Sequence, residues 1–219
     1  MQNPGVFKKD VSDALIRHPK LFLLFDDKGF PYLKGDIDIF YDDGKGCVSF
    51  ALRIMISQNY PFCYPNVWET GGFFPKENTF HYLENGSLCL DSRPNVILKI
   101  LKGIKILEFI EHTLIPNLAW RYCLLEGIPF DKREYKHGVE GIIEAYKEIL
   151  QISDDKVLIS CFLLIVNNKI PDRNERPCIC GKNVKYKKCH EELVNNLLKM
   201  PKPALMKDFS DIANYLKLR

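Results

Sequence analysis

Residues Tyr60 to Pro94 read YPFCYPNVWETGGFFPKENTFHYLENGSLCLDSRP. Pro61 and Pro65 each fix φ, so Tyr60–Pro65 is expected to be a rigid turn. Gly86 permits a second tight turn, and Cys89 follows it in Gly86-Ser87-Leu88-Cys89-Leu90-Asp91. Asp91 and Ser92 keep the surroundings of this cysteine polar. A cysteine on an irregular, solvent-facing segment can carry a bulky acyl partner, whereas an isolated cysteine elsewhere is usually a small buried hydrophobe. One histidine, His81, lies upstream of Cys89 in the same stretch.

Outward from this stretch the chain reads as mixed α and β. Val11, Ala14, Leu15 and Ile16 recur at helical spacing, so a helix is expected over Phe7–His18. Leu21–Asp26, Tyr32–Tyr41, Cys47–Ser57 and Val67–Thr70 read as strands. In the second, Ile37, Ile39 and Tyr41 alternate with Asp36 and Asp38, and Asp42–Gly46 signals a hairpin. Past Pro94, a helix is expected over Val96–Ile115, ended by Pro116. A turn and short helix follow over Asn117–Leu125. Further helices are expected over Asp131–Leu150 and from a Ser153 or Asp154 cap to about Val166. The bare pattern supports an α+β class.

The chain has 219 residues, and 31 basic against 28 acidic side chains leave a formal charge of +3. A balance so near neutral gives no argument for nucleic acid or a membrane surface as partner. The first twenty residues carry acids and no continuous apolar stretch, so no signal peptide is expected. The longest apolar run, Val157–Val166, is too short for a bilayer. A cytoplasmic protein is expected, and there eight cysteines point to metal, catalysis or burial before disulfides. Cys47, Cys63, Cys123 and Cys161 are expected to be buried thiols, with Tyr60 and Phe62 in the core.

The Tyr60–Asp91 stretch resembles the active-site segment of the ubiquitin-conjugating enzymes. Tyr60, Pro61, Phe62 and Pro65 match their Y-P-F-x-x-P turn, and Asn85 to Asp91 match the run N-G-x-[IL]-C-L-D. The family's His-Pro-Asn element is missing, and His81 stands in the slot of its asparagine, as in a divergent bacterial relative. The resemblance implies the UBC-like fold: N-terminal helix, four-stranded antiparallel meander, active-site loop and C-terminal helices, over residues 1–166. It implies acyl transfer, in which Cys89 takes an activated C-terminal carboxyl as a thioester and an amine then attacks it. His81 would donate to the oxyanion or deprotonate the amine, or else only brace the loop. Asp91 would orient the attacking lysine, or else serve as a turn carboxylate. The acyl partner implied is the C-terminal tail of a ubiquitin-like protein, or of a cGAS-like nucleotidyltransferase as in CBASS anti-phage operons. No phosphate-cradling glycine loop is present, so a separate activating enzyme is expected to supply the acyl donor.

Residues 167–176 are polar and hold Pro171, and a linker is expected there. Beyond it, Cys178, Cys180, Cys189 and His190 offer three thiolates and one imidazole within thirteen residues, a set suited to tetrahedral zinc. The segment is similar to the SEC-C zinc motif. Four protein ligands leave no open position, so a structural metal is expected in a third region, 177–219, with two tail helices over Glu191–Lys199 and Ala204–Leu218. Lys182, Lys185, Lys187 and Lys188 around it read as a solvated basic face. Two other classes stay open: a noncatalytic adaptor that binds a partner's tail, and a hydrolase with a Cys89–His81 dyad.

Overall fold

A computed structural model describes residues 4–40, 46–130 and 135–217. Contacts divide the chain into two units, Met1–Asp91 with Lys102–Arg133, and Ser92–Leu101 with Glu134–Arg219. The polar segment 167–176 lies within the second.

The first unit opens with helix α1, Pro4–Arg17, which buries Phe7, Val11 and Ala14, the stripe that the helical spacing dictates. Four strands follow, β1 (Leu21–Phe25), β2 (Pro31–Phe40), β3 (Cys47–Met55) and β4 (Asn66–Glu69), and pair antiparallel in sequence order. The register sets Leu33 opposite Ile54 and Ile37 opposite Phe50, so one face of the sheet is a continuous buried layer. Each such side chain contributes about 1.5–3 kcal/mol by leaving water. Apart from Gly46, the turn expected at Asp42–Gly46 lies outside the described residues, as does Tyr41.

Downstream the structure departs from the single helix expected over Val96–Ile115. Helix α2 spans Arg93–Lys102, and the chain then leaves helical geometry at Gly103, φ 82°, and at Lys105, which is extended. A second helical run begins with α3 (Ile106–Phe109) and passes through a π turn at Ile110–Leu114. It continues as α4 (Ile115–Glu126). Pro116 does not end it. This proline directly follows the π turn, where the hydrogen-bond ladder has already shifted, with the Ile115 N–H donating to Ile110 O. The run stops at Gly127, in the left-handed region.

The second unit holds α2, α5 (Gly138–Leu150), α6 (Asp155–Val166), α7 (Glu191–Leu197) and α8 (Lys202–Lys217). Asp131 and Leu218, expected helix ends, lie outside the described residues. Asp154 caps α6 by accepting the Val157 N–H at 2.9 Å. Tyr146 and Leu150 of α5, Leu158, Cys161 and Phe162 of α6, and Val194 and Leu197 of α7 form one core with Cys178 and Tyr186. The cysteine-rich segment therefore shares the core of the helices before it. Among the described residues, no helix is long and apolar enough to cross a membrane.

Candidate functional site

Cys89 sits at the open end of a small hairpin. The Leu83 N–H donates to Ser87 O and the Gly86 N–H to Leu83 O, each at 2.8 Å, while Tyr82 and Leu88 form a bridge. The turn requires Gly86 at φ 77°. Asn85 Oδ1 accepts the Ser87 N–H at 3.0 Å and the Ser87 hydroxyl at 2.7 Å, so the fully buried Ser87 is satisfied. Leu88 N–H donates to Val67 O, which fastens the hairpin to β4. Past the bridge, the Cys89 N–H donates to His81 O at 2.7 Å. The two residues are thus joined through their backbones, eight positions apart.

Each of the three expected active-site residues has a definite place here. Cys89 is partly exposed, and its thiol points toward Asp91 O at 3.8 Å. His81 ends a short 3-10 turn, Asn78–Phe80, in the left-handed region at φ 50°, and its imidazole lies edge-on to Trp120 with ring centres 5.5 Å apart. Asp91 is half-buried near Tyr64. Burial pushes the Tyr64 phenol well above its ordinary range, and the neighbouring Asp91 and Cys89 push it further.

Behind the hairpin lies Arg121 of α4, which is fully buried. Its Nε donates to Phe80 O at 2.9 Å. Its Nη2 donates to His81 O at 3.1 Å and Cys89 O at 2.9 Å. Nη1 returns to Asn117 O, one turn earlier in the helix, at 3.2 Å, and Asn117 Nδ2 donates to Leu90 O at 3.3 Å. The guanidinium also faces the Trp120 ring at 5.3 Å.

In the second unit, Cys178, Cys180, Cys189 and His190 converge, with their ligand atoms all within 4.8 Å of one another. Cys178 Sγ lies 3.3 Å from His190 Nδ1, Cys189 Sγ 3.1 Å from the same nitrogen, and Cys180 Sγ 3.8 Å from Cys189 Sγ. The segment folds over Gly181, at φ 82°, whose N–H donates to Cys178 O. His190 Nε2 contacts Leu150 O, the last residue of α5, at 2.9 Å. With that nitrogen donating, Nδ1 presents its lone pair to the three sulfurs. Burial lowers the pKa of His190, which favours the neutral, ligating form. Without a cation, burial and the adjoining Cys178 and Cys180 push the Cys189 thiol up to about 12. Three thiolates at this spacing call for a positive charge among them, and the four residues can hold a metal ion.

No known protein family matches the chain, and no curated protein or solved structure does either.

Some residues fall elsewhere than the sequence suggests. No disulfide joins any of the eight cysteines. Cys161 is buried, as expected of a thiol on an apolar helix, but Cys47 is exposed at the start of β3, and Cys63 and Cys123 are half-buried. Tyr60 is core, whereas Phe62 is 50 % exposed because the proline turn carries it to the surface. Neither Asn117 nor Arg121 stood out in the sequence. The only signal is their spacing: two polar residues four apart on an otherwise apolar helical face.

Proposed function

We propose that this protein is a cysteine-dependent acyl carrier of the ubiquitin-conjugating type, with Cys89 as its nucleophile. The observation that carries this reading is the partly exposed Cys89 thiol on an irregular segment, held by its backbone to His81. The order of elements, an N-terminal helix before a four-stranded meander, agrees with the UBC-like fold. In the first step the Cys89 thiolate attacks an activated C-terminal carboxyl, the activating group leaves, and a thioester forms. In the second a lysine amine attacks the thioester carbonyl, loses its proton, and the Cys89 thiolate departs. Both steps pass through an oxyanion, and one positioned donor is worth about 3 kcal/mol there. His81 is the candidate donor, or the base for the amine, and Asp91 is the candidate to orient that amine. The tail carried belongs to a ubiquitin-like protein or to a cGAS-like nucleotidyltransferase, loaded by a separate activating enzyme, and the setting proposed is bacterial anti-phage defence in the cytoplasm.

The metal proposed for the second unit is zinc. Zn–S bonds of about 2.3 Å at tetrahedral angles place two sulfurs about 3.8 Å apart. The Cys180–Cys189 separation of 3.8 Å equals that edge. Cys178, Cys180, Cys189 and His190 would then fill all four positions, so the ion's part is structural.

The test is to incubate the protein with a tail-bearing partner, its activating enzyme and ATP, and to resolve the products with and without thiol reductant. The expected product is an adduct that wild type loses to reductant and that Cys89→Ser retains as an oxyester or does not form. Noncovalent capture by both proteins would identify the adaptor. Shortening of the partner with no adduct would identify the hydrolase.

A further inference from the structure

The contacts of Arg121 described above run to main-chain carbonyls. Their distribution is specific. One nitrogen, Nη2, bonds His81 O and Cys89 O together, the two residues that face each other at the open end of the hairpin. Nε holds Phe80 O, in the residue before His81. Asn117, one helical turn away, holds Leu90 O, in the residue after Cys89. Residues 80–81 and 89–90, the two arms that leave the hairpin, are therefore tied to one face of α4 through four consecutive-pair carbonyls. Hydrogen bonds to a charged donor are about twice as strong as neutral ones, and a buried site is weakly screened.

We propose that Arg121 is a positioning residue for Cys89: its guanidinium, with Asn117 beside it, clamps the two arms of the hairpin and so fixes where the thiol and the His81 backbone stand. Four of its five N–H donors are bonded to main-chain carbonyls and the side chain is fully buried, so it does not bind substrate. The geometry asks for arginine rather than lysine. A planar fork reaches carbonyls on separate strands at once, while an ammonium on a flexible stem reaches one or two. The clamp stands on the contacts alone; only its effect on rate rests on the acyl-transfer reading above.

Amide hydrogen exchange, resolved by NMR in the full chain, separates this role from a merely structural one. In wild type the Arg121 Nε–H should exchange far more slowly than that of the exposed Arg17, and exchange as fast as Arg17 would overturn the proposal with no variant made. In Arg121→Met the Cys89 amide should exchange about tenfold faster or more, corresponding to one lost charge-assisted bond, while amides of the β2–β3 ladder keep their wild-type rates. Arg121→Lys should restore part of that protection. Equal acceleration of all amides, or a Cys89 amide still protected as in wild type, would overturn it. Should Arg121→Met fail to fold, Asn117→Ala serves in its place and should free the Leu90 side of the clamp, with faster Cys89 exchange; an unchanged rate there counts against the clamp. Thioester formation by the same variants is a separate readout. Loosened exchange with no adduct even in wild type leaves the clamp standing and removes the transferase.

Discussion

Two glycines show how differently one residue type can be constrained. At Gly35 a Cβ would lie 2.0 Å from Lys20 O, and φ is +144°, so neither space nor backbone admits a side chain. At Gly86 nothing lies within 4 Å of the added carbon, and only φ at +77° favours glycine. Gly35→Ala is therefore expected to cost more than about 3 kcal/mol, from a backbone clash added to strain. Gly86→Ala should cost about 1–2 kcal/mol, the price of a left-handed residue, and Gly86→Asn less, because asparagine tolerates that region. Denaturant midpoints of the three variants measure this, and a Gly86→Ala variant as unstable as Gly35→Ala would show that the hairpin turn is crowded. The turn that carries Cys89 was readable because glycine, proline and acid all crowd about it in sequence. The role of Arg121 was not, because three of its four carbonyl partners lie 32 to 41 residues away, which no side-chain pattern encodes.

Among the elements, the strands and their order were legible since alternation and turn residues both mark them. The break at Gly103 was hidden, because the apolar positions on either side of it run on with one helical period. Helix α2 is also held by something that its own sequence does not show. Arg93 pairs with Asp208 and, at 3.1 Å, with Asp211 of α8, while Asp208 accepts the Tyr146 hydroxyl at 2.6 Å. Asp208 is fully buried and Arg93 is 38 % exposed. Arg93→Met would leave that carboxylate with Tyr146 and no arginine. The expected loss is about 2 kcal/mol, less than for a fully buried pair because water reaches Arg93. Acid should shrink the difference. Burial raises the Asp211 carboxyl, but hydrogen bonds from Arg93 and Lys207 outweigh it, so the folded value lies below 3.8. A carboxyl lowered on folding stabilises above its unfolded value and ceases to do so as pH falls through the folded one. The gap between wild type and Arg93→Met in urea unfolding should therefore narrow as pH falls below 3.8; a gap that stays constant into acid would mean that charge is not what Arg93 contributes.

At the scale of the whole molecule, the metal-ligand segment was legible as a motif and misleading as a domain. Four ligands at close spacing announce a site, but nothing in residues 177–219 announces that Cys178 and Tyr186 belong to a core built by α5 and α6. Two hydrogen bonds carry the same message. His190 Nε2 bonds Leu150 O at the end of α5, and the Cys161 thiol donates to Ile179 O, between two of the ligands, at 3.0 Å. A metal bound there fastens the whole second unit rather than a loose tail. Binding to the folded state alone stabilises by RT ln(1 + [L]/Kd), several kcal/mol at a thousandfold excess over Kd, and each kcal/mol moves the midpoint of a unit of about a hundred residues by about 4–8 °C. Calorimetry of the full chain should thus show two transitions, of which a chelator lowers one by about 10 °C or more and leaves the other in place. Protons compete for the same four atoms, so the metal's contribution is present at neutral pH and lost as acid protonates the sulfurs and His190. Cys180→Ser should reproduce the chelated scan without chelator. A single transition that moves as a whole would mean that the two units unfold together, and two transitions indifferent to metal would mean that the helical core suffices without it.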